Sequence, residues 1–246
     1  MTNTTISPYP VDIGTVNWFV GGRIPSHMSI ALGNATLRSF GRIMGGMDND
    51  PTELYPFFET ALAGIDGGAL WSGGTRCLRS DGTIQDSVAE VVAREGKIHL
   101  NLITMGSCPR VNRFIFEGES HLMLGNNTFI NPSTQYVATI QNGAEDEDAL
   151  GWDGDVRAYL EFMANVRAIM GFGLYGIVWN GGGVTVTETL MAYNEFDIPI
   201  FIVVGSGRQA DDKLSAANFS GEHVHHISKH DPASLRQILI KYGLSR

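Results

Sequence analysis

Four times along this chain a short apolar segment runs into a cluster of glycines. Phe40–Met44 leads to Gly45-Gly46, and Ala69–Trp71 to Ser72-Gly73-Gly74-Thr75. Leu174–Trp179 leads to Asn180-Gly181-Gly182-Gly183, and Pro199–Val204 to Gly205-Ser206-Gly207-Arg208. Apolar segments this short read as strands, and glycine at their ends permits tight turns. Helical patterns lie between them. Over Thr52–Ile65, residues Leu54, Phe57, Phe58, Ala61 and Ile65 share one face, behind Asp50 as N-cap and Pro51 at the first helical position. Over Asp155–Met170, residues Val156, Tyr159, Leu160, Met163, Val166 and Met170 form an apolar stripe of the kind that faces a core. Helices are also expected over Thr83–Arg94, from the triple glycine to Phe196, near Gln209–Ala217 and over Pro232–Tyr242. Further strands are expected over Ile98–Thr104, His121–Leu124 and His223–Ile227.

Leu174–Trp179 and Pro199–Val204 carry no charge, as strands covered on both faces should not. Strands alternating with helices predict an α/β fold: a doubly wound, mainly parallel sheet with helices on both faces. The chain reads as one domain over residues 1–246. Its first 38 residues stand outside the rhythm as an N-terminal extension, from which Asn17–Val20 adds a possible edge strand. Gly125–Asp155 is polar and irregular, and its acidic run Glu145–Asp148 reads as a solvated loop.

Composition narrows the function. Glycine makes up 30 of 246 residues without a Gly-X-Y period, so the excess belongs to turns. A hydrophobic fraction of 43% against 17% charged residues excludes a disordered chain. A net charge of −9 disfavours nucleic acid and anionic membrane surfaces as partners. No apolar run is long enough to span a bilayer, and MTNTTISPYPVD has neither the basic start nor the apolar stretch of a leader. A cytoplasmic protein with free thiols at Cys77 and Cys108 is the expectation. No metal or other cofactor is expected either. His223 and His225 would share a strand face, and His226 and His230 follow, but no carboxylate or cysteine completes a familiar ligand set.

In open α/β sheets, ligands bind beyond the carboxyl ends of the strands, where strand order reverses. Here those ends carry the glycine clusters, and each is expected to lead into the positive end of a helix. That combination predicts a cradle for a phosphorylated or nucleotide ligand. Its candidate residues are Gly45, Gly46, Ser72, Gly73, Gly74, Thr75, Arg76, Gly181, Gly182, Gly183, Thr185, Thr187, Gly205, Ser206, Gly207 and Arg208. Arg76 and Arg208 each follow a glycine turn and could meet phosphate in bidentate fashion. Glu188 falls about one turn into the helix after the triple glycine, on the side expected to face a ligand. There it could grip a ribose hydroxyl, stabilise an oxocarbenium-like state, act as acid or base, or simply cap the helix. A hydride-transfer enzyme fits less well. Gly171–Gly176 matches the dinucleotide fingerprint but precedes a strand. Gly205–Ala210 follows a strand, yet no acidic residue clearly ends the next one. No G-x-S-x-G nucleophile elbow occurs.

The stretch Gly181–Glu188 (GGGVTVTE) resembles the PGGxGTxxE signature of the SLOG superfamily, which includes the LOG "lysine decarboxylase-like" proteins. Gly181, Gly182, Thr185 and Glu188 match; Asn180 stands for the Pro and Val184 for the third Gly. The order of motifs over Phe40–Ala217, ending in PIFIVVGSGRQADD (Pro199–Asp212), is similar to the LSDAT branch, the cytosolic N-terminal domain of melastatin-type TRP channels. The resemblance implies a Rossmann-like fold that binds a nucleotide or a derivative such as ADP-ribose. LOG-type relatives cleave nucleoside monophosphates with the signature Glu, here Glu188, and an Arg from the preceding helix. Arg167 lies on that helix but not at the family spacing, and the family's Arg-Lys pair is absent. The resemblance thus implies either an N-glycosidase of phosphoribohydrolase type or a non-catalytic nucleotide sensor, and a homodimer or higher homo-oligomer.

Overall fold

The computed structural model describes residues 15–19, 39–46, 50–63, 68–72, 75–78, 84–86, 88, 91–92, 101–106, 128–130, 136–140, 156–171 and 173–244. Eight of the described strands form one sheet: β1 (Thr15–Phe19), β2 (Ser39–Gly45), β3 (Gly68–Ser72), β6 (Asn101–Gly106), β8 (Tyr136–Ile140), β9 (Gly173–Trp179), β10 (Ile200–Val204) and β11 (Val224–Ser228). They stand in the order β1-β8-β6-β3-β2-β9-β10-β11, and every pairing is parallel. From β2 the chain steps outward through β3, β6 and β8. It then returns to the other side of β2 and steps away through β9, β10 and β11. Strand order therefore reverses between β2 and β9, which pair from Ser39↔Gly173 to Gly45↔Trp179. Three shorter strands, β4 (Thr75–Leu78), β5 (Ile84–Asp86) and β7 (Thr128–Ile130), make a separate antiparallel sheet.

The helices are α1 (Pro51–Ala61), α2 (Val156–Met170), α3 (Gly183–Phe196), α4 (Arg208–Asp211) and α5 (Pro232–Lys241). They divide between the two faces of the large sheet. On one face, Phe40, Met44, Leu174, Val178, Ile200 and Ile202 pack with Val156, Leu160 and Met163 of α2 and Ala192 of α3. On the other, Ile43, Tyr175, Ile177, Phe201 and Val203 pack with Leu54, Phe57 and Phe58 of α1, Leu235 and Leu239 of α5, and helical Val88, Val91 and Val92. Alternate residues of β2, β9 and β10 thus enter two different cores, which is why β9 and β10 read as unbroken apolar runs. The α/β, doubly wound architecture follows from the right-handed crossover. A crossover stepping to one side of β2 puts its helix on one face, and a crossover stepping to the other side puts its helix on the opposite face. No described helix is long and apolar enough to cross a membrane.

Several elements differ from the sequence expectation. The segment after Gly73-Gly74 is strand β4 rather than a helix. Extended backbone suits Thr75 and Cys77, and the following Asp81-Gly82 has the composition that hairpin connections favour. Ile84–Asp86 is strand, and among the described residues that follow, Val88, Val91 and Val92 are helical, so the expected Thr83–Arg94 helix starts later. α1 stops at Ala61. α4 is a single turn, because Asp212 accepts hydrogen bonds from the Ser215 hydroxyl and the Asn218 amide that compete with helical bonding. The stretch expected to be irregular from Gly125 holds β7 and also β8, a member of the main sheet. The edge strand of the N-terminal extension is β1, which pairs with β8. His121–Leu124, Ile65 and Glu145–Asp148 lie outside the described residues.

Tyr175 explains one glycine of β2. A Cβ at Gly41 would stand 2.3 Å from the Tyr175 ring, so the ring lies across the bare backbone of its neighbour strand. The Tyr175 hydroxyl is buried with no hydrogen-bond partner among the described residues, and burial pushes its phenol far above the usual range. A buried unsatisfied hydroxyl costs on the order of 1–3 kcal/mol. Tyr175→Phe keeps the ring and removes that cost, so urea unfolding should show a gain of about 1 kcal/mol. Gly41→Ala should lower the midpoint instead, because the ring must move.

Candidate functional site

Three loops meet where strand order reverses, at the carboxyl ends of β2, β9 and β10. Asn180 joins them. It follows the last residue of β9 in left-handed backbone (φ 51°), a conformation that Asn tolerates better than most residues. Its side-chain Oδ1 accepts the Gly46 N–H at 2.7 Å and also the Gly181 N–H. Its own N–H donates to Ser206 Oγ at 2.8 Å, and its carbonyl accepts the Ala210 N–H at 3.0 Å. Arg208, also at φ 51°, leans over the junction. A Cβ at Gly46 would lie 2.4 Å from Arg208 Nη1, and one at Gly182 would lie 3.3 Å from Nη2. These two glycines therefore make room for the protein's own guanidinium.

Several of the loop amides expected to cradle an anion already have internal acceptors. The Gly205 and Gly207 N–H groups donate to the two carboxylate oxygens of Asp211, each at 2.6 Å. Those of Gly46 and Gly181 go to Asn180, and that of Gly182 goes to Thr185 Oγ1 at 3.3 Å. What stays open is the start of α3. Val186 N–H reaches back to the Gly182 carbonyl, so the first-turn amides of Gly183, Val184 and Thr185 are the donors a helix leaves without an internal acceptor. Gly183 and Val184 are exposed, and the first turn holds no acidic residue. Among the described residues nothing stands within 4 Å of where a Gly183 Cβ would be, and its φ is not left-handed, so neither their packing nor backbone conformation explains that glycine. The start of α1 is the opposite. Asp50 caps it by accepting from Thr52 N–H at 2.9 Å and from Thr52 Oγ1 at 2.7 Å, and Glu53 of the first turn pairs with Lys229.

Glu188 is 3% exposed and does not point into the crevice. It turns down from α3 onto the sheet, where Arg42 Nε donates to its Oε1 at 2.5 Å. Arg42 is 7% exposed and alternates on β2 with Phe40 and Met44, on the face that α3 covers. The expected ligand-facing carboxylate is thus half of a buried ion pair joining β2 to α3. The expected catalytic Arg167 is also elsewhere. It donates from Nη2 to the Phe196 carbonyl at 2.8 Å and from Nη1 to the Asp197 carbonyl at 3.2 Å. It therefore caps the carboxyl end of α3, at the opposite edge of the sheet from the glycine loops, where a cation meets the negative end of the dipole.

Thr185 caps α3 from its buried side, whereas Thr187 is exposed and donates to the Gly183 carbonyl at 3.4 Å. Ser206 serves as the acceptor for Asn180, and Gly45 ends β2 beside Trp179. Ser72 ends β3 on the same edge. Thr75 and Arg76 sit on β4 of the small sheet rather than at a helix start, and Gly73 and Gly74 lie outside the described residues. Sequence reasoning missed Arg42 and the roles of Asn180 and Asp211. For Arg42 a signal existed: a lone charge in SFGRIMG, a segment otherwise fit for burial, demands a buried counter-charge.

No protein-family model matches the chain, and neither does any curated protein.

Of the histidines of β11 and its approach, two meet at Tyr242 and the third faces the opposite side of the sheet. His223 Nδ1 and His225 Nε2 lie 3.2 and 3.0 Å from the Tyr242 hydroxyl, and His226 Nε2 lies 3.0 Å from the Leu214 carbonyl. Among the described residues, no three of His, Cys, Asp or Glu group to hold a metal. The His225 ring stacks on Phe201. Burial, then the charges of His223, Lys241 and His226, hold its imidazole below the ordinary 6.5. The unfolded chain therefore takes up this proton first. The contribution to stability is present above pH 6.5 and is lost as the pH falls from there through the lower folded-state value. Urea unfolding from pH 8 down to pH 5 should show that decline in the native protein. His225→Gln should flatten it.

Proposed function

We propose that this chain binds a phosphate-bearing nucleotide in the crevice between β2 and β9, with the phosphate against the first turn of α3 and the Arg208 guanidinium. The observation that carries this reading is the pairing of an acid-free helix start, whose N-cap glycine offers no side-chain acceptor to the first-turn amides, with an arginine leaning over the same glycines. Helix amides and a bidentate guanidinium are the donors that phosphate takes up best. The location supports it, since ligands of open α/β sheets settle where strand order reverses. The acid-capped start of α1 argues against a dinucleotide held by its pyrophosphate at the first crossover. The likeness to the SLOG superfamily and its LSDAT branch supports a nucleotide such as ADP-ribose.

Binding without turnover is the better reading, because Glu188 is committed to Arg42 beneath the helix. Hydrolysis of an N-glycosidic bond is the second reading. It is favoured by the presence of this carboxylate on the helix that begins at the proposed anion site, and it requires Glu188 to leave Arg42.

Melting temperature and free base, followed while AMP, ADP-ribose and NAD are added, test both. The expected result is a thermal shift with no base released. Arg208→Gln should weaken binding about tenfold or more, the worth of one good hydrogen bond to a charged group. Gly183→Ala should stabilise the free protein by roughly 0.5–1 kcal/mol, by removing a helical glycine, while obstructing the ligand. Arg42→Met alone should cost about 3–5 kcal/mol, and the double change Arg42→Met/Glu188→Met should recover much of it and still bind. Base release by the native protein that disappears in the double variant would establish the hydrolase instead. No response to any of the three nucleotides would overturn the proposal.

A further inference from the structure

Outside the anion-attracting pair, the feature of the crevice with the most bonds to its walls is Asn180. We infer that Asn180 is the positioning residue of this site. Its carboxamide fixes how far the β2 loop stands from the β9 loop, and its neutrality keeps the crevice open to an anion. The inference about the ligand rests on the reading of the crevice as a nucleotide site; the inference about the loops does not.

The geometry carries both parts. One oxygen, Oδ1, takes the N–H of Gly46 from the end of β2 and the N–H of Gly181 from its own loop. The main chain of the same residue is bonded to Ser206 and Ala210 beyond β10. Asn180 is buried, and Arg208 Nη1 lies near the Gly46 backbone that the carboxamide holds. A carboxylate at position 180 would accept the same two N–H groups and tolerate the same left-handed backbone. It would also set a negative charge beside Arg208 and the proposed phosphate position. The two functions of the side chain, staple and neutral wall, are therefore separable by substitution.

Asn180→Asp and Asn180→Gly make the separation. Glycine keeps the left-handed backbone and removes the staple; aspartate keeps the staple and adds the charge. Amide hydrogen exchange reads the staple without any ligand. Gly46 and Gly181 should stay protected in the native protein and in Asn180→Asp, and should exchange faster in Asn180→Gly. Calorimetric titration with ADP-ribose reads the wall. At pH 7.5, Asn180→Asp should bind about tenfold or more weakly, as a like charge at close range requires. It should regain affinity as the pH is lowered and the new carboxyl takes up a proton. Asn180→Gly should bind weakly at every pH. A staple without function would give no such pH profile. Unchanged exchange at Gly46 and Gly181 in Asn180→Gly would overturn the staple. Native-like affinity of Asn180→Asp at pH 7.5 would overturn the wall. If the native protein bound no ADP-ribose, the nucleotide reading and the wall would fall together, and the exchange experiment would still decide the staple.

Discussion

Arg42 and Glu188 share a hydrogen bond beneath α3, and burying that pair constrains everything around the seam between β2 and β9. Removing two charges from water is costly, and only close geometry offsets the cost. The pair therefore fixes α3 over β2, across the line where strand order reverses. With α3 fixed, its first turn opens onto the crevice at the carboxyl ends of the strands. Asn180 then ties the β2 and β10 loops to the β9 loop directly above the seam. The site is a consequence of this stacking: a buried ion pair below, a polar staple above, and a helix start presented between them.

The glycines gain a different meaning from this arrangement. In a strand-glycine-helix sequence they invite the reading that backbone must come close to a phosphate. In the structure Gly41 admits the Tyr175 ring, Gly46 and Gly182 admit Arg208, and the amides of Gly205 and Gly207 are held by Asp211. Close approach is indeed what these glycines permit, but the approaching group is the protein itself. Gly183 is the exception, exposed at the first position of α3 with open space before it. The surface proposed to take an anion is therefore narrower than the glycine count implies: a helix start and one guanidinium.

Much of the fold was legible in the sequence because burial leaves a periodic trace. The charge-free β9 and β10, the stripe of α2 and the Asp50-Pro51 start of α1 each carry a local signal that tertiary packing reinforces. The misses have local reasons too. β4 is short and half-polar, and β8 is a lone five-residue run between polar stretches, so periodicity does not separate either from loop. α4 ends early because side chains from Ser215 and Asn218 compete for the Asp212 carbonyl. That several glycine loops meet at one edge of the sheet was legible; what those loops bond to was not. The partner of Glu188 lies 146 residues away on β2, and no spacing rule connects them. Arg167 was placed by helix membership alone, and the direction of α2 sends it to the far edge.

The most direct measurement is a map of backbone amide and arginine side-chain resonances while ADP-ribose is titrated in. The proposed site calls for the largest changes at Gly183, Val184 and Thr185 and at the Arg208 guanidinium. The Gly205 and Gly207 amides, held by Asp211, should change little. Changes centred on the Asp50–Glu53 turn, or spread over the surface with none at Gly183, would contradict an anion site at the start of α3.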